Sequence, residues 1–364
     1  MAPLMTGYRG GSLVEQSLEK TSVLHRGPTS VTQAELTVTE ELTKAGERLR
    51  TLSLDGQCQS EITVRKDESF APVQPLELVQ VLLLGSLTWA SGDLAEDEAS
   101  LCARVLLLGL GGGSVARGLA TLLPPEGRVH SVELEPEVLA AATRFFGLHI
   151  DSERCTAEAA DAGEHLRLAA EARSGAREED GVDGEGEVAG SAAGGAAGGA
   201  AGSAMGGAAG GAAGSAAGDA IVILDAFDVK GLASAVQQER ALDDAATIAG
   251  RTGLVLANLH AGYPSDPNDP DHEQLASMLR RLCARFDAVC RMDCDSTLNV
   301  IVFAHQGEQI EPTEWGAAMS AQLGRRDVDE WCMGLDLAEA MSRFTYVGGR
   351  KDTRKRKATK KKAR

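Results

Sequence analysis

The stretch Val105-Leu-Leu-Leu-Gly-Leu-Gly-Gly-Gly-Ser114, continued by Arg128-Val-His-Ser-Val-Glu-Leu-Glu-Pro136, decides the fold. Leu106, Leu107 and Leu108 form an unbroken apolar run, the pattern of a parallel strand covered by helices on both faces. Gly109, Gly111, Gly112 and Gly113 then leave all of the turn but Leu110 without Cβ atoms. The backbone can bend sharply there, and a ligand can come close to main-chain N–H groups. Ser114 to Leu123 reads as the following helix, ended by Pro124-Pro125 and Gly127. Val129, Ser131 and Glu133 alternate with His130, Val132 and Leu134 through a second strand that ends near Pro136. Glu133 lies 22 residues beyond Gly111, where a βαβ crossover brings an acidic side chain to ribose hydroxyls. Together these features imply a nucleoside-like cofactor, and by themselves they admit nicotinamide, flavin or sulfonium chemistry.

Further carboxylates fall at equivalent places. After a helix predicted over Glu137 to Phe146, the segment Arg154-Cys-Thr-Ala-Glu-Ala-Ala-Asp161 reads as a short third strand, with Asp161 opening the next helix. Asp161 can accept a hydrogen bond from an adenine amino group, cap the helix, or do both. Ala220-Ile-Val-Ile-Leu-Asp225-Ala-Phe-Asp228 is a fourth apolar strand that delivers two carboxylates to the same edge. Three acidic strand ends around one glycine turn exceed what capping requires. A fifth strand, Gly253-Leu-Val-Leu-Ala-Asn258-Leu, leaves Asn258 either facing the pocket or closing a turn. Phe286 to Met292 and Thr297 to His305 read as an antiparallel closing pair, and Glu314 to Met341 as amphipathic helical segments. The predicted class is α/β: a Rossmann-like, seven-stranded doubly wound sheet with a small N-terminal β-hairpin region.

The motifs VLLLGLGGGS, SVELEPEVLAAATRFFGL, ADAGEHL, VILDAFD and GLVLANL resemble the class I S-adenosylmethionine-dependent methyltransferase fold, and more narrowly its spermidine-synthase-like branch. That branch includes aminopropyltransferases and the carboxy-terminal domain of the methyltransferase acting on translation elongation factor 1-alpha. The resemblance spans roughly Arg50 to His305 apart from one insertion. It implies that Gly109, Gly111 and Gly113 line the methionine and sugar portions of S-adenosylmethionine, that Glu133 holds the ribose, that Asp161 faces the adenine, and that Asp225 sits beside the transferable group. Leu52-Ser-Leu-Asp-Gly-Gln-Cys-Gln-Ser-Glu61 is similar to the hairpin that precedes the main domain in spermidine synthases. This places Gln59 nearest the cofactor and gives a segment through which two copies can pair as a homodimer.

Departures from the family decide between activities. Aminopropyltransferases carry Asp-x-x-Asp-Pro after the fourth strand; Asp225 and Asp228 keep the acidic pair, but Val229 replaces the proline. Those enzymes also carry Tyr-His-Glu after the hairpin, where this chain reads Asp67-Glu-Ser-Phe-Ala-Pro72. A short dication taken from water needs paired anions, so the missing groups favour methyl transfer over aminopropyl transfer with decarboxylated S-adenosylmethionine. A third reading is a non-catalytic binding protein that keeps Gly109 to Gly113 for folding. Methyl transfer from a sulfonium is an in-line displacement, so catalysis rests on holding the nucleophile at near-attack distance, and no metal is expected. An amine acceptor must attack unprotonated, although a free lysine has a pKa of about 10.4. Asp225 or Asp228 can orient it and take its proton, and Asp228 can alternatively cap the next turn.

With 364 residues, 43% of them hydrophobic, the chain can bury a full doubly wound core and carry appendages. It divides into a β-rich extension over 1–98, a methyltransferase domain over 99–345 and a basic tail over 346–364. The cysteines are seven in number and lack paired spacing, which points to a reducing compartment, cytoplasm or nucleus. Cys290-x-x-x-Cys294 lacks the second pair or histidine that completes a zinc site. No apolar run is long enough to cross a bilayer and no secretory signal is evident, so no membrane association is expected. Residues 174–219 are acidic at first and then almost entirely Gly, Ala and Ser. Such a segment cannot offset the entropy of ordering its backbone, and it is predicted to be a flexible loop at the sheet edge opposite the cofactor. Arg350 to Arg364 holds ten basic residues and one acidic in a chain of net charge −17. It is predicted to be disordered by self-repulsion and able to engage an import receptor, or RNA and ribosomes weakly. The loop His260 to His272, with Asp266, Asp269 and Asp271, can face a basic protein acceptor or simply form solvated turns.

Overall fold

A computed structural model describes residues 21–43, 45–72, 76–92, 94, 104–150, 153–179, 220–228, 231–295 and 297–350. The chain begins with β1 (Thr21–Pro28), β2 (Glu35–Leu42), β3 (Arg48–Leu54), β4 (Gln57–Val64) and β5 (Phe70–Pro72), an antiparallel sheet in that order. Asp55 (φ 49°) and Gly56 (φ 77°) both occupy the left-handed region between β3 and β4, as a two-residue turn matched to the strand twist requires. The alternating residues Leu36, Val38, Leu52 and Ile62 point from this sheet onto Val138, Ala141 and Phe146 of the main domain, forming a small core of their own. The extension is thus seated on its neighbour rather than held by its own apolar residues alone.

Next comes α1 (Glu77–Ala90), whose Leu82, Leu83, Leu84 and Leu87 are all buried. A Cβ added to Gly85 would lie 2.7 Å from the Phe303 ring, so this helix runs hard against the large sheet. It falls within the 1–98 segment, yet it packs as a core helix of the domain that follows. A helix apolar on most sides has to be enclosed.

The main domain alternates β6 (Arg104–Leu108), α2 (Ser114–Leu122), β7 (Arg128–Glu133), α3 (Pro136–Phe145), β8 (Cys155–Ala159), α4 (Ala162–Glu179) and β9 (Ile221–Leu224). A two-stranded ribbon follows, β10 (Phe227–Asp228) with β11 (Gly231–Leu232), then α5 (Ser234–Gln237), α6 (Glu239–Ala249), β12 (Leu254–His260) and α7 (Pro270–Arg285). The chain closes with β13 (Ala288–Asp293), β14 (Asn299–His305), α8 (Pro312–Leu323), α9 (Arg326–Trp331), α10 (Leu337–Ser342) and β15 (Phe344–Gly348).

The large sheet has the order β15-β13-β14-β12-β9-β6-β7-β8. Strands β8, β7, β6, β9 and β12 are parallel, while β14, β13 and β15 are antiparallel to their neighbours. Val105 and Leu107 face a core shared with α1, α2 and α8; Leu106 and Leu108 face one shared with α4, α6 and α7. Burial on both faces explains why β6 is a continuous apolar run. The chain winds from β6 outward to β8, then returns to β9 on the other side of β6. That reversal is the switch point where ligands bind in open α/β sheets.

The seven anticipated strands form the sheet, and β15 adds an eighth at its edge. Phe344 on β15 sits 5.2 Å from the Phe303 ring, which draws the chain onto β13 before the basic run begins. Residues 346–348, placed in the tail by sequence, therefore belong to a strand. Arg350 continues the anchoring, its N–H donating to the Phe286 carbonyl at 2.7 Å and its guanidinium pairing with Asp287 at 3.2 Å. The rest of the tail, 351–364, lies outside the described residues.

The loop anticipated from Ser174 does not begin there, because α4 continues to Glu179. Ala176, Arg177, Glu178 and Glu179 are good helix formers and favour that continuation. Residues 180–219 lie outside the described residues. Their flanks, the end of α4 and Ala220 before β9, mark the sheet edge opposite the glycine turn.

Cys155, Cys283, Cys290, Cys294 and Cys332 are buried and Cys58 is exposed. Burial pushes the Cys290 and Cys294 thiols up to about 12, the behaviour of inert core residues. Among the described residues, no helix is long and apolar enough to cross a membrane.

Candidate functional site

Parallel pairing sets Leu108 beside both Val132 and Leu224, and Glu133 beside Ala159. The residues that follow these strands therefore emerge in one layer. Gly109 to Gly113 leave β6, Glu133 closes β7, Asp161 follows β8 and Asp225 follows β9. Main-chain bonds fix this layer: Gly109 N–H donates to Val132, Asp225 N–H to Leu108 and Ala160 N–H to Glu133, at 2.8, 2.8 and 2.9 Å.

Two glycines show why the turn is built from them. Gly109 has φ 94°, and a Cβ there would lie 2.3 Å from the Asp225 carbonyl oxygen, so only glycine lets the two strand ends abut. A Cβ at Gly112 would lie 2.6 Å from the Ser60 Cβ, because the β3–β4 hairpin presses on the turn. Gly113, the N-cap of α2, supplies no capping side chain. The first amides of α2 and the positive end of its dipole thus face the turn, a ready anion site.

Glu133 ties the turn to β7. One carboxylate oxygen accepts from Leu110 N–H (3.0 Å) and Gly111 N–H (3.4 Å), the other from Glu135 N–H (3.1 Å). Burial nonetheless raises its pKa above the ordinary glutamate value. A carboxylate offers about four acceptor directions, so capacity for a hydroxyl donor is left over. Asp161 is exposed at the edge and caps α4, one oxygen accepting from Glu164 N–H at 2.9 Å. The capping reading is realised, and the other oxygen is the group that could meet an adenine.

Asp225 is half-buried and accepts from Asn258 Nδ2 at 2.7 Å, while Asn258 Oδ1 accepts from Asn299 Nδ2 at 2.8 Å. Asn258 thus faces the site and is buried there, rather than closing a turn. Burial pushes the Asp225 carboxyl up to about 6, the Asn258 hydrogen bond opposing only part of the effect. Asp228 ends the short strand β10; its side chain lies outside the described residues, as do Val229 and Lys230.

Gln59 occupies a bulge in β4, where Leu52 pairs with Ser60 and Ser53 with Cys58. Its side chain is exposed, and it is its carbonyl oxygen that approaches the turn, 3.6 Å from where a Cβ on Gly111 would be. Ser60, which sequence reasoning passed over, is the side chain of this hairpin that touches Gly112.

Glu135 was also missed. It is 3% exposed and accepts from Thr29 Oγ1 (3.0 Å), Val31 N–H (3.0 Å), Thr32 N–H (2.7 Å) and Thr32 Oγ1 (2.5 Å). Burial pushes its pKa up, but those donors together outweigh it and hold the carboxyl below its usual range. Glu137 accepts from Ser30 N–H and Oγ, both at 3.1 Å. The β1–β2 turn is thereby clamped to the start of α3, immediately beside Glu133. The threonine-rich run Pro28-Thr-Ser-Val-Thr was the available sequence signal.

Beyond Asn258 on β12, His260 Nδ1 lies 2.5 Å from Asp271 on α7. A cavity of about 380 Å³ opens there, lined by His260, Asp271, Glu273, Gln237, Met278 and Arg281. Asp269 accepts from Tyr263 and Asp271 N–H, and Asp266 from Asn268 N–H. Those two carboxylates of the loop therefore serve its turns, and Asp271 is the one presented to the cavity.

No family model and no curated protein sequence matches the chain. Among solved structures, a probable spermidine synthase from Corynebacterium glutamicum is similar with a TM-score of 0.53 at 15% identity, covering 86% of this chain and 94% of that one. A spermidine synthase in complex with the transition-state analogue AdoDATO gives 0.50 at 13% identity, covering 86% and 88%. Human methyltransferase-like protein 13 in complex with SAH gives 0.46 at 17% identity, covering 72% and 96%. The likeness to the two spermidine synthase structures shows the fold alone, which in this chain is an N-terminal antiparallel sheet on a doubly wound domain.

Proposed function

We propose that this chain is an S-adenosylmethionine-dependent methyltransferase that N-methylates a protein acceptor. The observation that carries the reading is Asp225, an inward carboxylate at the switch point whose described partner is the neutral amide of Asn258. Such a group is costly without a cation, and a sulfonium or an acceptor ammonium supplies one. The cofactor fits the rest of the layer as well. The uncapped amides of α2 suit its carboxylate, Glu133 its ribose and Asp161 its adenine amine.

When bound, S-adenosylmethionine supplies the methyl group on its sulfonium. The chain's own task is to hold the acceptor nitrogen in line and unprotonated. A carboxyl with a pKa of about 6 is ionised at neutral pH and is a stronger base than an ordinary aspartate. Asp225 can therefore orient an amine and accept its proton, while Asn258 and Asn299 fix the carboxylate's direction. The His260–Asp271 cavity, one strand further along the same edge, is large enough for a lysine or arginine side chain.

Methyl transfer is preferred to aminopropyl transfer because the acids after the hairpin are engaged elsewhere. Asp67 accepts from Ser69 N–H and Oγ, and Glu68 pairs with Arg48 at 2.5 Å. The test incubates full-length protein with radiolabelled S-adenosylmethionine and a cell lysate. Label in a protein band supports the proposal. Spermidine formation from putrescine and decarboxylated S-adenosylmethionine would replace it with the aminopropyl reading, and neither product would remove the catalytic one.

A further inference from the structure

A second cluster of side chains lies on the sheet face covered by α4. His130 on β7 pairs in register with Thr156 on β8, and Val132 with Glu158, so these side chains share one face. Helix α4 brings His165 to them, one turn after its cap Asp161. Ligand-type atoms of His130, Glu158 and His165 all lie within 4.8 Å of one another.

Thr156 Oγ1 lies 2.9 Å from His130 Nδ1 and 3.5 Å from the Val129 carbonyl, so Nδ1 is the ring nitrogen that Thr156 engages. In the tautomer with its proton on Nδ1, donated to Thr156, His130 presents the Nε2 lone pair. Nε2 is buried with no hydrogen-bond partner, and what it faces is the Glu158 carboxylate at 3.9 Å, another acceptor. The same Glu158 oxygen lies 2.7 Å from His165 Nδ1, and the two imidazoles stack with centroids 5.2 Å apart. In that tautomer the Nε2 lone pair and the carboxylate are two acceptors turned toward each other, which a cation between them would satisfy.

We propose that His130 Nε2, a Glu158 oxygen and His165 Nδ1 form a binding site for a divalent transition-metal ion of the zinc class, with one position left for water. Two imidazoles and one carboxylate suit that class, whereas calcium and magnesium prefer all-oxygen sets. Thr156 plays the orienting part that a metal-bound histidine usually finds at its other ring nitrogen. Glu158 is exposed on the edge strand, which gives the ion a way in. Bound there, the ion ties α4 to β8 directly below Asp161, so metal occupancy holds the cap residue at the cofactor edge.

The test uses full-length protein stripped by chelator and titrated with zinc chloride against a chromophoric competitor at pH 7.5. One zinc ion per chain is expected. His130→Gln and His165→Gln should each lose it, Thr156→Val should weaken it by about 10- to 100-fold, and Cys58→Ser should leave it unchanged. Cobalt in the same site should give ligand-field bands without thiolate charge transfer. Should His130→Gln fail to fold, His165→Gln and Thr156→Val still decide the matter. No saturable zinc uptake by the folded wild type, uptake indifferent to these substitutions, or a thiolate spectrum would overturn the proposal.

Discussion

Replacing Asp225 with asparagine separates what the carboxylate costs the fold from what it contributes to chemistry. An aspartate in an unfolded chain titrates near about 3.9, whereas burial pushes folded Asp225 up to about 6. Between those values the folded state binds more protons than the unfolded one, so stability falls as pH rises from about 4 to about 6 and stays lower above that. At about 1.36 kcal/mol per pH unit, the difference amounts to at most about 3 kcal/mol. Asparagine keeps an acceptor for Asn258 Nδ2 and carries no charge to desolvate. D225N is therefore expected to gain up to about 3 kcal/mol over wild type in urea unfolding at pH 7.5 and little at pH 4, while methyl transfer falls by about 10²- to 10⁴-fold. A sulfonium ligand should stabilise the wild type more above pH 6 than below it. Destabilisation of D225N at pH 7.5, or the same offset at both pH values, would refute burial as the governing cause.

Other substitutions address other parts of the site. Glu135→Ala leaves the buried Thr29 hydroxyl without its acceptor and releases the exposed residues Val31 and Thr32 to solvent, and should cost about 1–3 kcal/mol, with faster amide exchange confined at first to residues 29–34; unchanged exchange there would argue against a clamp. Gly109→Ala forces a Cβ against the Asp225 carbonyl at positive φ and should cost more than about 3 kcal/mol, read as loss of soluble yield or thermal stability. Asp161→Ala should lose about 1 kcal/mol of cap and also weaken cofactor affinity, whereas Asp161→Asn, an equally good cap, should retain the stability. Equal stability losses in the two would remove capping as the cause.

The fold was legible where local chemistry dictates it. The leucines before Gly109, the glycines after it and the acidic ends at Glu133, Asp161 and Asp225 are periodic, short-range signals, and they placed five parallel strands. What was illegible depends on partners distant in sequence. Glu135 meets its donors 103 to 106 residues away, so no spacing near Glu135 announces them. Asn299 reaches Asn258 only through the antiparallel β12–β14 pairing. Tyr346-Val-Gly348 reads as the start of a tail because the basic run follows at once, and only the packing of the preceding Phe344 on the rings of Phe303 and Trp315 makes it part of a strand. His130 and Glu158 look like routine polar positions in alternating strands until α4 sets His165 beside them.

The central claim is that the edge formed by Gly109 to Gly113, Glu133, Asp161 and Asp225 holds S-adenosylmethionine. Calorimetric titration of the full chain tests it most directly. The account predicts saturable one-site binding that weakens with Asp161→Ala and weakens for decarboxylated S-adenosylmethionine, which lacks the carboxylate aimed at α2. Absence of binding by both forms to folded protein would contradict it.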